Sequence, residues 1–160
     1  MFDVVIEFPK MKVGVATRGD RVVEIRYLPP TSGLLPAKNK LAEKAARQLE
    51  LYREDPDTGF DLPVLIEGTP LQRGVWDAMR AIPRGRTRTY GEIARELGAD
   101  ARDVGQACGD NRLPLVIPCH RVVAADGIGG FAHATDGYLI EVKRWLLAHE
   151  AAADEFEVRP

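Results

Sequence analysis

Two short amphipathic segments with almost nothing between them constrain this chain more than any other feature. Thr89 is a capping residue and Glu92 follows it three positions later, the spacing of a capping box; Ile93, Ala94 and Leu97 then share one face, and Gly98 supplies a terminator. Asp100 caps a further helix expected over about 101–109. Two helices across so tight a Gly-containing turn are the outline of a helix-turn-helix, although a helical hairpin without any DNA role has the same spacing. Ahead of them, Thr69 as cap and Pro70 at the first helical position open another helix, with Leu71, Val75, Ala78, Met79 and Ile82 as its expected buried stripe. Pro83-Arg84-Gly85 stops it.

The first part of the chain has a different texture. Residues 2–8, 11–17 and 21–27 are rich in Val and Ile, and Arg18-Gly19-Asp20 provides a hairpin turn between the last two. Residues 38–55 put Leu41, Ala45, Leu49 and Tyr52 on one helical stripe with charges opposite. The fold class expected is therefore α+β: a small N-terminal antiparallel sheet with a helix, plus a mostly α C-terminal domain with the helix-turn-helix. The expected division is 1–68, 69–150 and an acidic tail over 151–160, frayed past a final helix that starts at Tyr138 and carries Leu139, Val142, Leu146 and Leu147 inward.

At 160 residues, 45% of them hydrophobic, the chain can bury a core, which excludes a disordered class. No apolar run approaches the roughly 20 residues that span a bilayer, and no basic stretch precedes an apolar one at the N-terminus, so neither a membrane partner nor a secretory signal is expected. Two cysteines cannot frame a disulfide-built domain, and a cytoplasmic location is the expectation. The net charge of −2 argues weakly against nucleic acid. Residue type argues the other way: five of six lysines precede position 71, whereas ten arginines lie in 71–150, including the run Arg80, Arg84, Arg86 and Arg88. Clustered arginines suit phosphate, and equally a solvated face.

Chemistry concentrates in 113–123, an apolar, strand-like run interrupted by Pro114 and Pro118 that holds Cys119-His120-Arg121. A cysteine beside cationic groups is the setting that lowers a thiol pKa; a buried structural cysteine is the alternative. On an extended strand neighbouring side chains diverge, so His120 would need a bent backbone or a bridging water to serve Cys119. Cys108 reads as packing, and His133 and His149 as surface residues. Without a C-x-x-C or H-x-x-x-H pair, no metal site is expected. Gly127-Ile128-Gly129-Gly130 lacks the strand-to-helix context of a phosphate loop and reads as a turn.

Ile117-Pro118-Cys119-His120-Arg121-Val122 resembles the active-site motif of the O6-alkylguanine-DNA alkyltransferases, the methylated-DNA–protein-cysteine methyltransferases. The resemblance extends to Thr89-Tyr90-Gly91-Glu92-Ile93-Ala94, Arg102, Val104-Gly105, Asn111, Gly129-Gly130-Phe131 and Lys143-Arg144-Trp145-Leu146-Leu147-Ala148-His149-Glu150. It covers most of 69–150, and 1–68 fit the family's variable N-terminal domain loosely. It implies single-turnover repair of duplex DNA containing O6-alkylguanine, by a monomer, with the alkyl group transferred to Cys119 and no cofactor. The roles it implies are alkyl acceptor for Cys119, base through a water for His120, orienting carboxylate for Glu150 and proton donor to the guanine ring for Tyr90. Arg102 would fill the stack in place of the extruded base, Asn111 would brace the turn before the active-site segment, and Asn111 and Arg121 are grouped with Arg102 as DNA-binding. Val122 and Ala132 would outline the base pocket. The chain departs from the family pattern in a longer segment over 132–137, a shorter turn between Gly98 and Arg102, and Arg112 where proline is common.

Three other functions compete with this reading. A damage sensor that flips the base without accepting the group would lack the cysteine. A helix-turn-helix regulator would bind specific sequences and be indifferent to Cys119. A cysteine hydrolase usually draws its His from far along the chain.

Overall fold

The computed structural model describes residues 1–131, 133 and 137–158, with side chains through Ala151. The chain forms two compact units, Met1–Ile66 and Glu67–Pro160. In the first, strands β1 (Val4–Glu7), β2 (Lys12–Arg18) and β3 (Arg21–Leu28) make an antiparallel sheet in sequential order. Gly19 turns the β2–β3 hairpin with φ +60°, a conformation that only glycine adopts without a Cβ penalty. Helix α1 (Lys40–Glu54), capped by Asn39, contributes Ala42, Ala45, Leu49 and Tyr52 to a core shared with Val13, Val15 and Ile25. Short extended pairings of Leu35 with Val5 and of Val64 with Val22 flank the two outer strands. They protect sheet edges that would otherwise expose unpaired backbone groups.

The second unit begins with α2 (Pro70–Arg80), whose Thr69 cap closes a full capping box with Gln72. Its buried face is Val75, Trp76, Ala78 and Met79; Leu71, expected inward, is exposed. Trp76 instead anchors the helix, donating its Nε1–H to the Ala107 carbonyl at 2.9 Å. The two-residue strand β4 (Arg88–Thr89) leads directly into α3 (Tyr90–Leu97), which has the Thr89–Glu92 box and a left-handed Gly98 at its end. Helix α4 (Ala101–Gly109), capped by Asp100, follows after the tight turn, and α3 and α4 pack on one another as a helix-turn-helix.

The run over 113–123 is not a strand. Pro114 and Pro118 carry no N–H for a ladder, and the backbone folds into a 3-10 turn, Cys119–Arg121, before the short strand β5 (Val122–Val123). β5 pairs in parallel with β4, Arg88 opposite Val122 and Thr89 opposite Val123, so Tyr90 leaves the ladder close to the residues that follow Cys119. Helix α5 (Tyr138–Val158) extends past Glu150, where the sequence suggested fraying. Among the described residues no helix is long and apolar enough to cross a membrane.

Candidate active site

Cys119 and His120 are both buried, at 7% and 1% exposure, on the 3-10 turn. The turn replaces the side-to-side alternation of a strand, so the expected opposition of their side chains does not apply. Glu150, also buried, reaches in from α5: its Oε2 lies 2.9 Å from His120 Nε2 and accepts from Arg121 Nη2 at 3.0 Å, and its Oε1 accepts from Arg121 Nε at 3.0 Å. Burial alone would raise this carboxyl, but the hydrogen bonds from His120 and Arg121 together hold it well below the usual carboxylate range. With a carboxylate on Nε2, that nitrogen carries the proton of the neutral imidazole and Nδ1 is left as the basic one. Nδ1 is buried with no hydrogen-bond partner among the described residues. Burial pushes the imidazole pKa down, and the pull of Glu150 in the other direction does not reverse it.

Arg121 therefore does not face outward as a DNA contact. Its guanidinium clamps Glu150 in a bidentate pair and donates from Nη1 to the Ile82 carbonyl at 2.7 Å. This serves the buried carboxylate, which needs a fixed counter-charge and satisfied lone pairs. The arginine run is likewise divided: Arg84 donates to the Glu150 backbone carbonyl, Arg88 pairs with Glu96, and Arg80 and Arg86 are exposed.

Asn111 is also turned inward. Its Nδ2 donates to the Ile117 carbonyl at 2.8 Å and its Oδ1 accepts from the Leu113 amide at 2.9 Å, pinching together a loop that contains Leu115 at φ +76°. A non-glycine residue in that conformation persists only where the surroundings over-determine it. The Asn111 amide also favours the ionised form of the Cys119 thiol. The Asn111 amide is thus committed to its own loop, where a DNA contact was also expected.

A cavity of about 410 Å³ opens beside the thiol, lined by Tyr90, Arg102, Cys108, Cys119, Phe131 and His133 among others. Arg102 stands exposed in the first turn of α4. Val122 does not line this cavity: it is buried, with its N–H on the Cys119 carbonyl and its own carbonyl taken by a lysine. Ala132 lies outside the described residues. Cys108, expected to be packing, is buried with its Sγ 3.6 Å from Met79 Sδ, yet it also lines the cavity.

The lysine is Lys143, which is fully buried. Its Nζ donates to the carbonyls of Val122 at 2.7 Å and Gly130 at 2.9 Å and lies 3.5 Å from the Tyr90 hydroxyl, with the Tyr90 and Phe131 rings within 6 Å. Burial lowers its pKa to about 8. Burial likewise raises Tyr90, which donates to the Gly130 carbonyl, to about 12. Gly129, at φ +74°, lets the backbone approach the Tyr90 ring; a Cβ there would stand 3.0 Å from it. Lys143 sits inside the motif that carries the resemblance, and an isolated lysine in an apolar helical stripe was the signal for it.

The thiol itself departs from the sequence expectation. Neighbouring cations suggested a lowered pKa, but Cys119 is pushed up to about 11 because burial outweighs the help of Asn111 and Lys143. The adjacent His120 and Arg121 are committed to Glu150. The resting group is a protonated thiol beside a potential base.

Comparison with known proteins places the chain in a family. Residues 70–152 match the family model for the 6-O-methylguanine DNA methyltransferase DNA binding domain. The methylated-DNA–protein-cysteine methyltransferase of Methanosarcina acetivorans is 41% identical over 112 residues, covering 68% of this chain and 69% of the relative. That of Mycolicibacterium paratuberculosis is 42% identical over 133 residues, covering 81% and 77%. The crystal structure of the Mycobacterium tuberculosis O6-methylguanine methyltransferase superposes with a TM-score of 0.77 at 34% identity over 95% of this chain and 94% of that one. The structure of the same organism's OGT in complex with DNA gives 0.75 at 36% identity over 92% and 91%. This chain belongs to the methylated-DNA–protein-cysteine methyltransferase family.

Proposed function

We propose that this protein binds duplex DNA, draws an O6-alkylated guanine into the cavity beside Cys119, and transfers the alkyl group to that sulfur once per molecule. The observation that carries the reading is a buried thiol on the wall of an open cavity of about 410 Å³, followed in the chain by a buried His120–Glu150 pair. A volume of this order suits a ligand the size of a purine base.

The chemistry follows from the groups available. A resting thiol near pKa 11 needs a base at the moment of reaction. Nδ1 of His120 takes the proton, through one water, and the resulting imidazolium is stabilised by the Glu150 carboxylate on Nε2. The thiolate attacks the alkyl carbon, a C–S bond forms, and the C–O6 bond breaks with its electron pair passing to the guanine. Tyr90 donates its proton to the departing ring, and the Lys143 ammonium 3.5 Å from the hydroxyl stabilises the tyrosinate. The products are guanine and an S-alkylcysteine. A thioether has no leaving group that any residue of the chain activates, so each molecule acts once.

Arg102, on the first turn of α4 and on the cavity wall, is suited to occupy the gap left in the base stack. That offsets part of an extrusion cost of a few kcal/mol. We assign the protein to the cytoplasm as a monomer, in keeping with two unpaired, buried thiols. Incubation with a duplex containing one O6-methylguanine, followed by intact-mass measurement and peptide mapping, tests the reading. One added methyl on Cys119 per molecule is expected; binding without a mass change would refute transfer.

A further inference from the structure

The one buried carboxylate of the site serves two cations, and it serves them unequally. Glu150 Oε1 accepts from Arg121 Nε at 3.0 Å, whereas Oε2 accepts from both Arg121 Nη2 at 3.0 Å and His120 Nε2 at 2.9 Å. The guanidinium thus meets the carboxylate fork on fork, while the imidazole shares an oxygen that is already engaged. Arg121 Nη1 is fixed by the Ile82 carbonyl just past the end of α2, so each of the three guanidinium nitrogens donates inside the protein. The two side chains are 14% and 2% exposed, so salt and water screen the pair poorly. The charges that bear on His120 are Glu150 and Lys143, both from α5, and Arg121 from its own turn. Cys119, protonated at rest, adds none. Arg84, in the loop after α2, reaches the Glu150 backbone carbonyl at 3.2 Å.

A carboxylate alone beside an imidazole favours the protonated ring, typically raising its pKa by about 1–3. A histidine already protonated at rest cannot take a proton from a thiol. We propose that Arg121 is a positioning residue of the transfer reaction: its two-pronged hold on Glu150 cancels most of the carboxylate charge, so that His120 is oriented by Glu150 yet stays unprotonated and ready to accept the Cys119 proton. The proposal deepens the alkyl-transfer reading and rests on it. The shared oxygen still holds the proton on Nε2, which fixes the tautomer and leaves Nδ1 as the basic nitrogen. The balance of forces on the ring agrees: burial first, then the cations Arg121 and Lys143, keep its pKa below the ordinary range against the pull of Glu150. A clamp that served packing alone would tie α5 to the turn without changing how readily His120 takes a proton.

Two measurements on the full-length protein test this. The chain has three histidines, so imidazole nitrogen NMR resonances, with His120 identified by its loss in H120Q, report charge and tautomer ring by ring. In wild type, His120 is expected as the Nε2–H tautomer, titrating below the ordinary histidine value of about 6.5. Titration at or above that value would overturn the proposal without touching the transfer reading. The second measurement is the pH profile, over about pH 4.5 to 7.5, of benzyl transfer from free O6-benzylguanine to wild type, R121Q and R121K, read by intact mass. No DNA is present, so contacts to phosphate do not enter. The acid limb reports protonation of the base; it is expected to move up by about one pH unit in R121Q and to stay near wild type in R121K, which keeps the charge. An R121Q limb at the wild-type position, with the rate lowered equally at every pH, would reduce Arg121 to a structural clamp and overturn the proposal. So would an R121K limb displaced as far as that of R121Q. Should R121Q fail to fold, the wild-type titration decides. Wild type that takes up no benzyl group would overturn the alkyl-transfer reading and the proposal with it.

Discussion

Replacing Glu150 by glutamine probes the buried charge on which the proposed base depends. The carboxylate is 1% exposed and accepts hydrogen bonds from Arg121 Nε and Nη2 and from His120. In Glu150→Gln one oxygen is lost as an acceptor and the counter-charge of a guanidinium only 14% exposed disappears with it. Breaking a buried pair on one side typically costs 3–5 kcal/mol, and the isosteric amide keeps one acceptor, so a loss of about 3 kcal/mol is expected. At roughly 2–4 °C per kcal/mol for a chain of this size, the midpoint should fall by about 6–12 °C. The pH dependence gives a second readout. Because the Glu150 pKa is lowered in the folded state, its contribution is full above the unfolded-state value of about 4.3 and is lost as pH falls through the folded one. Thermal unfolding of wild type and Glu150→Gln between pH 7 and 3 should therefore converge toward the acid end. Alkyl transfer should slow on the order of a hundredfold, since the imidazole loses both its orientation and the charge that stabilises its protonated form. A variant with the wild-type midpoint at pH 7, or a gap that does not close on acidification, would refute the claim that this carboxylate is ionised and holds the site together.

Other outcomes follow from the same geometry. Cys119→Ser should take up no alkyl group yet bind DNA as wild type does in a gel-shift titration; residual transfer would remove Cys119 from its role. Arg102→Ala should slow reaction with O6-methylguanine in duplex more than reaction with free O6-benzylguanine, and equal losses on the two would argue against a role in the base stack. Because burial lifts the Cys119 thiol to about 11, its carboxamidomethylation by iodoacetamide in the DNA-free protein should still be climbing above pH 9, mapped by peptide mass. A plateau near pH 8 would mean that the thiol titrates as an ordinary exposed one.

How much was legible beforehand depended on the range of the interaction. Thr69, Thr89, Gly98 and Asp100 mark helix ends through hydrogen bonds spanning two to four residues, or through a single φ angle, and such signals survive in a bare sequence. The three strands and their hairpin were legible for the same reason. Leu71 was misassigned because periodicity identifies a face but not how far along a helix the core reaches; Val75, Ala78 and Met79 on its stripe are buried, and Leu71, in the first turn of α2, is exposed. The 3-10 turn at Cys119 was hidden by an apolar run whose composition suits a strand, although its prolines were a warning.

The sequence by itself determined the order of the elements, the helix-turn-helix and the family, and pointed to Cys119 as the nucleophile, since each is encoded in local chemistry or in a motif read in order. Tertiary structure alone decided what the charged and polar side chains face. Arg121 turns from an outward contact to a clamp on Glu150, 29 positions away, and Asn111 is spent on its own loop. Lys143 lies beneath Tyr90. The thiol is raised rather than lowered for the same reason. A pKa depends on what surrounds a group in three dimensions, and at Cys119 the low-dielectric wall outweighs the cations written beside it.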